Sequence, residues 1–200
     1  MRRNRAEVSG QNRRDVLEAA HRTFLAKGYH GASLDAIALA AGFSKGVVYS
    51  QFGSKDDLFL ALLEERIAER RRNSAWFAEA VAGPEGFVEV ARDAIGVSAE
   101  TVAWQALLLE FRAHAARNPN TLARYTELHE IAIAGTAEIL GGIFERAGTP
   151  PPLPPRTLAV TFLAVGTGLA AELLIDPELD VRDIAGHIAE GLVARAVELS

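Results

Sequence analysis

Cysteine is absent from these 200 residues, so no disulfide, thiolate metal site or thiol nucleophile can be built. Long apolar runs are missing too, since none approaches the roughly 18 residues that cross a bilayer. The opening Met-Arg-Arg-Asn-Arg has no apolar stretch behind it, which argues against a secretory signal. Strand signals are scarce: β-branched runs are short and apolar residues recur at helical spacing almost throughout. There is no internal repeat. There is also no G-x-S-x-G, no phosphate-binding glycine loop and no clustered His/carboxylate motif. His114 and His129 lack metal-motif spacing, so neither metal nor cofactor is expected. What is left is 49% apolar and 24% charged, the composition of a soluble globular protein, expected in a reducing cytoplasm and without a membrane partner.

Charge is unevenly divided. Net charge is −5, yet residues 1–60 hold nine Lys/Arg against six Asp/Glu, and the remainder twelve against twenty. Arg2, Arg3, Arg5, Arg13 and Arg14 crowd the first fourteen positions. A basic end on an acidic body suits a chain that meets phosphates at one end only.

The pattern predicts about nine helices. The first runs from about Asn12 to Lys27, with Val16, Leu17, Ala20, Phe24 and Leu25 on one face and Gly28 as its stop. Ser33 caps a second that points Leu34, Ile37, Ala38 and Ala41 inward, and Gly42 ends it. Ser44 opens a very short third to about Ser50. Ser54-Lys-Asp-Asp57 resembles a capping box, and starts a long helix to about Asn73 that ends in Arg70-Arg71-Arg72. Gly83-Pro84-Glu85-Gly86 starts a further helix to about Ser98, and others are expected over Thr101–Arg117 and Pro119–Ala147. A stiff Pro-rich connection, 148–155, leads to the last pair, Pro155–Ile175 and Leu179–Leu199.

Two short helices joined through Gly42 can present side chains to a DNA major groove. The third helix turns Ser44, Lys45, Gly46 and Tyr49 outward. Lys45 reaches a phosphate or a guanine edge, while Ser44 and Tyr49 donate to phosphates. Gly46 costs a helix about 1 kcal/mol relative to alanine, a cost explained if a backbone or base comes very near. Lys55 and the free amides of the fourth helix suit an anion.

The run Ser33-Leu-Asp-Ala-Ile-Ala…Ala41-Gly-Phe-Ser-Lys-Gly-Val-Val-Tyr-Ser-Gln-Phe-Gly-Ser-Lys-Asp-Asp-Leu58 resembles the DNA-binding segment of TetR-family transcriptional regulators. Ala19-Ala20…Phe24…Lys27-Gly28-Tyr29…Gly31-Ala-Ser is similar to that family's first helix. The resemblance covers roughly residues 13–60, and beyond residue 74 extends only to the general all-helical layout. It implies an all-α protein: a basic arm (1–12), a three-helix DNA-binding domain (13–60) and a larger ligand-binding and dimerisation domain (61–200). Ser33 and Gln51 join the DNA contacts on the same ground.

The resemblance also implies a homodimer on a palindromic operator, a repressor released by a small, largely apolar effector. Small residues in the last two helices (Gly166 and Gly168 among them), with Phe162, Leu169, Leu173, Ile188 and Leu192, mark the interface. Trp104, Gln105, Leu108, Phe111, Arg112, His114 and His129 mix apolar area with a few polar groups, as ligand pockets do. Two rivals remain open at this point. Glu110 and His114, four apart on one helical face, could serve acid/base chemistry, and a helical adaptor could bind protein alone.

Overall fold

The computed structural model describes residues 5–79, 81–94 and 98–198. Among them are nine α-helices and no strand: α1 (Arg5–Gly31), α2 (Leu34–Ala41), α3 (Lys45–Phe52), α4 (Lys55–Glu79), α5 (Gly83–Ala94), α6 (Ala99–Ala115), α7 (Pro119–Arg146), α8 (Pro155–Glu172) and α9 (Val181–Glu198). The all-helical expectation is met. The chain divides into two compact units: Met1–Arg66 with Leu107–Tyr125, and Ile67–Ala106 with Thr126–Ser200.

Two helix ends differ from those read in the sequence. α1 begins at Arg5 rather than near Asn12. Gly10 alone does not break it, and Gln11, Arg14 and Asp15 pair along one face of the turn that follows. Arg2 and Arg3 lie outside the described residues. α4 runs on to Glu79, because no glycine or proline intervenes before Gly83. Its arginines are therefore mid-helix, and Arg71 pairs with Glu138 of α7 at 2.5 Å instead of facing a helix end.

In the first unit Val16, Ala20 and Phe24 form one buried face of α1, and Leu34, Ile37 and Ala38 one face of α2. Val48 and Phe52 of α3 and Leu58, Phe59 and Leu62 of α4 complete the small core. Arg13 lies over the Phe52 ring, 4.9 Å from its centroid, so one residue of the basic run also ties α1 to α3. Phe111 of α6 is fully buried, and its ring stacks on Phe59 at 4.1 Å.

In the second unit Phe87, Val90 and Ala91 of α5, Leu140, Ile143 and Phe144 of α7, Leu158 of α8 and Ala189 of α9 form one core. Leu173, Val181 and Ala185 form a smaller one.

Gly28 breaks α1 at φ 69°, ψ 171°, a conformation open to glycine. A Cβ there would also lie 2.9 Å from a Glu110 carboxylate oxygen, and that same oxygen accepts the Tyr29 N–H at 2.9 Å. Gly28→Ala is expected to cost about 2 kcal/mol of stability through backbone strain, measured by urea unfolding of the full chain.

Candidate nucleic-acid interface

The angle between α2 and α3 is set by four local bonds. Ser33 Oγ accepts the Ala36 N–H at 3.2 Å and begins α2. Gly42, at φ 74° and ψ 22°, ends it, with its own N–H on Leu39 O at 3.2 Å and that of Phe43 on Ala38 O at 3.0 Å. Val47 N–H closes the first turn of α3 onto Ser44 O at 3.1 Å. The Ser44 hydroxyl makes no cap bond, unlike that of Ser33.

Ser44, Lys45, Gly46 and Tyr49 then lie on the exposed side of α3, with Tyr49 47% exposed. Lys45 ion-pairs with Asp35 of α2. Its hydrogen bond to Asp35, then the charge of that carboxylate, push the ammonium above its ordinary value. A Cβ on Gly46 would meet only Ser44 Oγ, at 4.0 Å, so nothing within the chain demands a glycine there. Gln51 is half-buried, and its amide oxygen is buried without a hydrogen-bond partner.

Lys55 is turned toward the end of α1. Its ammonium donates to Tyr29 O at 2.8 Å and Ala32 O at 3.1 Å, and lies 4.4 Å from the centroid of the Tyr29 ring. Burial lowers its pKa, against the pull of Asp56. It supports the loop before Ser33, leaving one proton for a phosphate.

Beneath these residues lies a polar knot. The Asp56 carboxylate accepts from the Tyr29 hydroxyl and from Thr121 Oγ1 at 2.6 Å, and lies 3.0 Å from His114 Nε2. Neighbouring Asp57 takes Arg124 and the Ser54 hydroxyl, the latter at 2.5 Å, while its own N–H donates to Ser54 Oγ at 3.0 Å and caps the start of α4. Burial and the Asp56 contact raise the Tyr29 pKa far above that of an ordinary phenol.

Residues 16–62 match the family model for bacterial regulatory proteins of the tetR family. This segment is similar to the DNA-binding part of TetR-family regulators. It is 34% identical over 116 residues to the transcriptional repressor AcnR of Corynebacterium efficiens, a match spanning 58% of this chain and 57% of that one. The chain thus covers little more than half the length of the curated relatives it matches. Its fold is similar to that of Bacillus subtilis FadR in complex with stearoyl-CoA (TM-score 0.70, 16% identity, 91% of this chain and 98% of that one). It is likewise similar to Salmonella enterica GusR (TM-score 0.66, 22% identity, 92% and 96%). The relatives named as regulators act on transcription and are not enzymes.

The seven residues with pocket-like chemistry fall in both compact units. Leu108, Phe111, Arg112 and His114 belong to the first unit, and Trp104, Gln105 and His129 to the second. Arg112 Nε donates to the Tyr125 hydroxyl at 2.6 Å, and Gln105 meets the Thr167 hydroxyl at 3.3 Å. A helix face read from sequence cannot say which neighbour each of its turns will meet, and α6 changes neighbours at Leu107. Asp56, Tyr29, Glu110 and Thr121 form a cluster that no sequence motif marks. The one visible trace was the i, i+4 pair Glu110–His114, which joins two points of this support.

An open, shallow apolar groove lies between α5, α8 and α9, lined by Phe87, Leu158, Phe162, Val165, Ile188 and Leu192 among others. Phe162, Ile188 and Leu192 of the interface candidates therefore share one surface. Leu173 is buried within the unit, with Leu169 packed against it. At Gly166 and Gly168 an added Cβ would meet nothing within 4 Å.

Burial pushes the Asp56 carboxyl up, but hydrogen bonds from Thr121, Tyr29 and His114 outweigh it and hold it below the usual range. Burial likewise opposes Ser54 and Arg124 at Asp57, with the same net direction. A carboxylate lowered on folding stabilises the native state above its unfolded value of about 3.9, and that contribution fades as pH falls through the folded one. The urea midpoint is expected to drop between about pH 5 and pH 2, and to drop less steeply in the Asp56→Asn, Asp57→Asn double variant.

Proposed function

We propose that this chain is a ligand-responsive transcriptional regulator that binds a palindromic DNA operator as a homodimer in the cytoplasm. In its simplest form it is a repressor released by a small, largely apolar molecule. The observation that carries this reading is the exposed α3 face of Ser44, Lys45, Gly46 and Tyr49, held on a capped α2 inside the segment that matches the family. Ser33, Gln51 and the amino end of α4 with Lys55 supply phosphate contacts beside it. The free space over Gly46 favours close approach by something outside the chain.

A single α3 makes too few base contacts for a specific site, whereas two related by a twofold axis read half-sites about 34 Å apart or a multiple of that. Gly166 and Gly168 support placing the partner against α8 and α9, since the space above them is empty within one chain. Phe162, Leu169, Leu173, Ile188 and Leu192 supply or back the apolar area there. For the effector, the mixed apolar and polar residues Trp104, Gln105, Leu108, Phe111, Arg112, His114 and His129 favour a mostly apolar molecule with a polar end. The stearoyl-CoA bound by the FadR of similar fold is a ligand of that description. An effector acts by favouring a dimer whose α3 helices are wrongly spaced, so operator DNA must weaken effector binding by the same factor.

The deciding experiment selects bound duplexes from a random pool, then screens small molecules, long-chain acyl-CoAs included, for release of the selected site. A palindrome bound with strong salt dependence supports the regulator, and no bound duplex at any salt overturns it. On the selected operator, Lys45→Ala and Tyr49→Ala should each weaken binding at least about tenfold, with Lys45→Ala reducing the salt slope by about one. Fluorescence anisotropy titrations across salt concentrations check both. Gly168→Leu has room within its own chain, so it should leave thermal unfolding of the fold intact while shifting sedimentation from dimer to monomer. An intact dimer would exclude this surface.

A further inference from the structure

Lys45 is the one basic residue of α3, and it reaches back to an acid. Asp35 lies in the first turn of α2, two residues past the Ser33 cap, and its Oδ2 accepts a bond from the Lys45 ammonium. Both side chains stand in the open, 67% exposed for Lys45 and 45% for Asp35. A pair so exposed contributes at most about 1 kcal/mol to folding. A carboxylate in the first turn also suits the α2 dipole. Any acid of that turn serves the dipole, however, and position 35 adds the contact with Lys45. Against a polyanion the same carboxylate is unfavourable, because it repels phosphates and cancels the charge of the lysine beside it. Its place on the exposed side of α2 and α3 calls for a gain that only some duplexes supply.

Hydrogen-bond counting supplies one. An ammonium carries about three donors and an ionised carboxylate accepts about four bonds. The Lys45–Asp35 bond uses one of each, so free donors and free acceptor positions stand side by side. In the major groove a G·C pair shows guanine N7 and O6, both acceptors, and then the cytosine N4 amino group, a donor. O6 and N4 pair with one another, so they stand one hydrogen bond apart, about 2.9 Å. Lys45 and Asp35, themselves hydrogen-bonded, offer a donor and an acceptor at that same kind of spacing. An A·T edge alternates acceptor, donor and acceptor, so one of its acceptors faces the carboxylate. Gly46, next to Lys45, has no Cβ, and one built there would meet nothing nearer than 4.0 Å, which leaves room for a base pair to come close.

We infer that Asp35 is a specificity-determining residue. Together with Lys45 it reads one G·C pair in each half-site, Lys45 donating to guanine O6 and N7 and Asp35 accepting from cytosine N4. This rests on α3 being the DNA-reading helix. The third Lys45 donor stays on Asp35, so the pair reads the base edge without separating. On other sequences Lys45 exchanges Asp35 for a phosphate, and the carboxylate is left unpaired beside the backbone. Asp35 therefore disfavours the wrong duplex as well as favouring the right one.

The test compares the full-length wild type with Asp35→Ala on a duplex selected by the wild type. Because Asp35 is exposed, the variant should keep nearly the wild-type urea midpoint. At each invariant G·C pair in turn, the cytosine is replaced by the pyrimidinone analogue that lacks the N4 amino group, and affinity is read by fluorescence anisotropy. At one pair per half-site the replacement should weaken the wild type about tenfold more than it weakens Asp35→Ala. At the other pairs the two proteins should lose alike. On mixed-sequence duplex at low salt, Asp35→Ala should bind about two- to threefold more tightly than the wild type, since a carboxylate has been removed beside the phosphates. Equal losses at every pair overturn the proposal and leave Asp35 with no role beyond aiming Lys45. A selected site with no invariant G·C pair overturns it without any variant. A wild type that selects no duplex overturns the DNA reading itself, and this assignment with it.

Discussion

The bond between the Tyr29 phenol and the Asp56 carboxylate is the constraint on which the rest of the first unit depends. It closes the end of α1 onto the start of α4, and everything between those two points, α2 and α3 included, is strung on that closure. A carboxylate does this better than an apolar contact would. It takes several donors at once from different directions, and leaving it part-satisfied in a half-buried place costs more than each bond gains. The aromatic rings of Phe24, Phe59 and Phe111 around Tyr29 supply the burial that keeps water from competing.

The outward surface is built on different terms. Ser44, Lys45, Gly46 and Tyr49 contribute little to holding α3, which is anchored by Val48 and Phe52 on its other side. Lys45 and Asp35 neutralise one another at the surface, where an ion pair is worth at most about 1 kcal/mol and is easily exchanged for a phosphate. The division between an anchored face and an uncommitted one is what a DNA-reading helix requires.

The second unit shows the same separation. Its cores are closed by Phe87, Leu140, Phe144 and Leu158, and by Leu173 with Val181. The open groove runs along the edge of the first of these cores, with Phe87 and Leu158 in its wall, and the space over Gly166 and Gly168 is empty. Arg92 crosses α9 where Gly186 leaves no side chain in its way and reaches Glu190 at 2.6 Å, tying α5 to α9 beside that groove.

Much of this was legible in the residues alone because it is local. Helix content, the Ser33 cap, the Gly42 turn, the Ser54 cap and the outward α3 face depend on neighbours within four positions, and the sequence states those neighbours outright. Glycine and proline mark most boundaries, and where none stands, after Asn73, α4 runs on to Glu79. The Asp56 knot was not legible. Its members lie at 29, 56, 114 and 121, and no periodicity announces that an aspartate in a helix's first turn will accept bonds from three other helices. Nor could the pattern of α6 say that Phe111 and His114 would face Phe59 and Asp56 while Gln105 met Thr167, since both turns of that helix carry the same kind of residue. The sequence by itself determined which helices form and which face of α3 is exposed. Only the tertiary structure decided which distant residues meet at the Asp56 carboxylate, because long-range contacts are chosen by packing and hydrogen-bond geometry rather than by spacing along the chain.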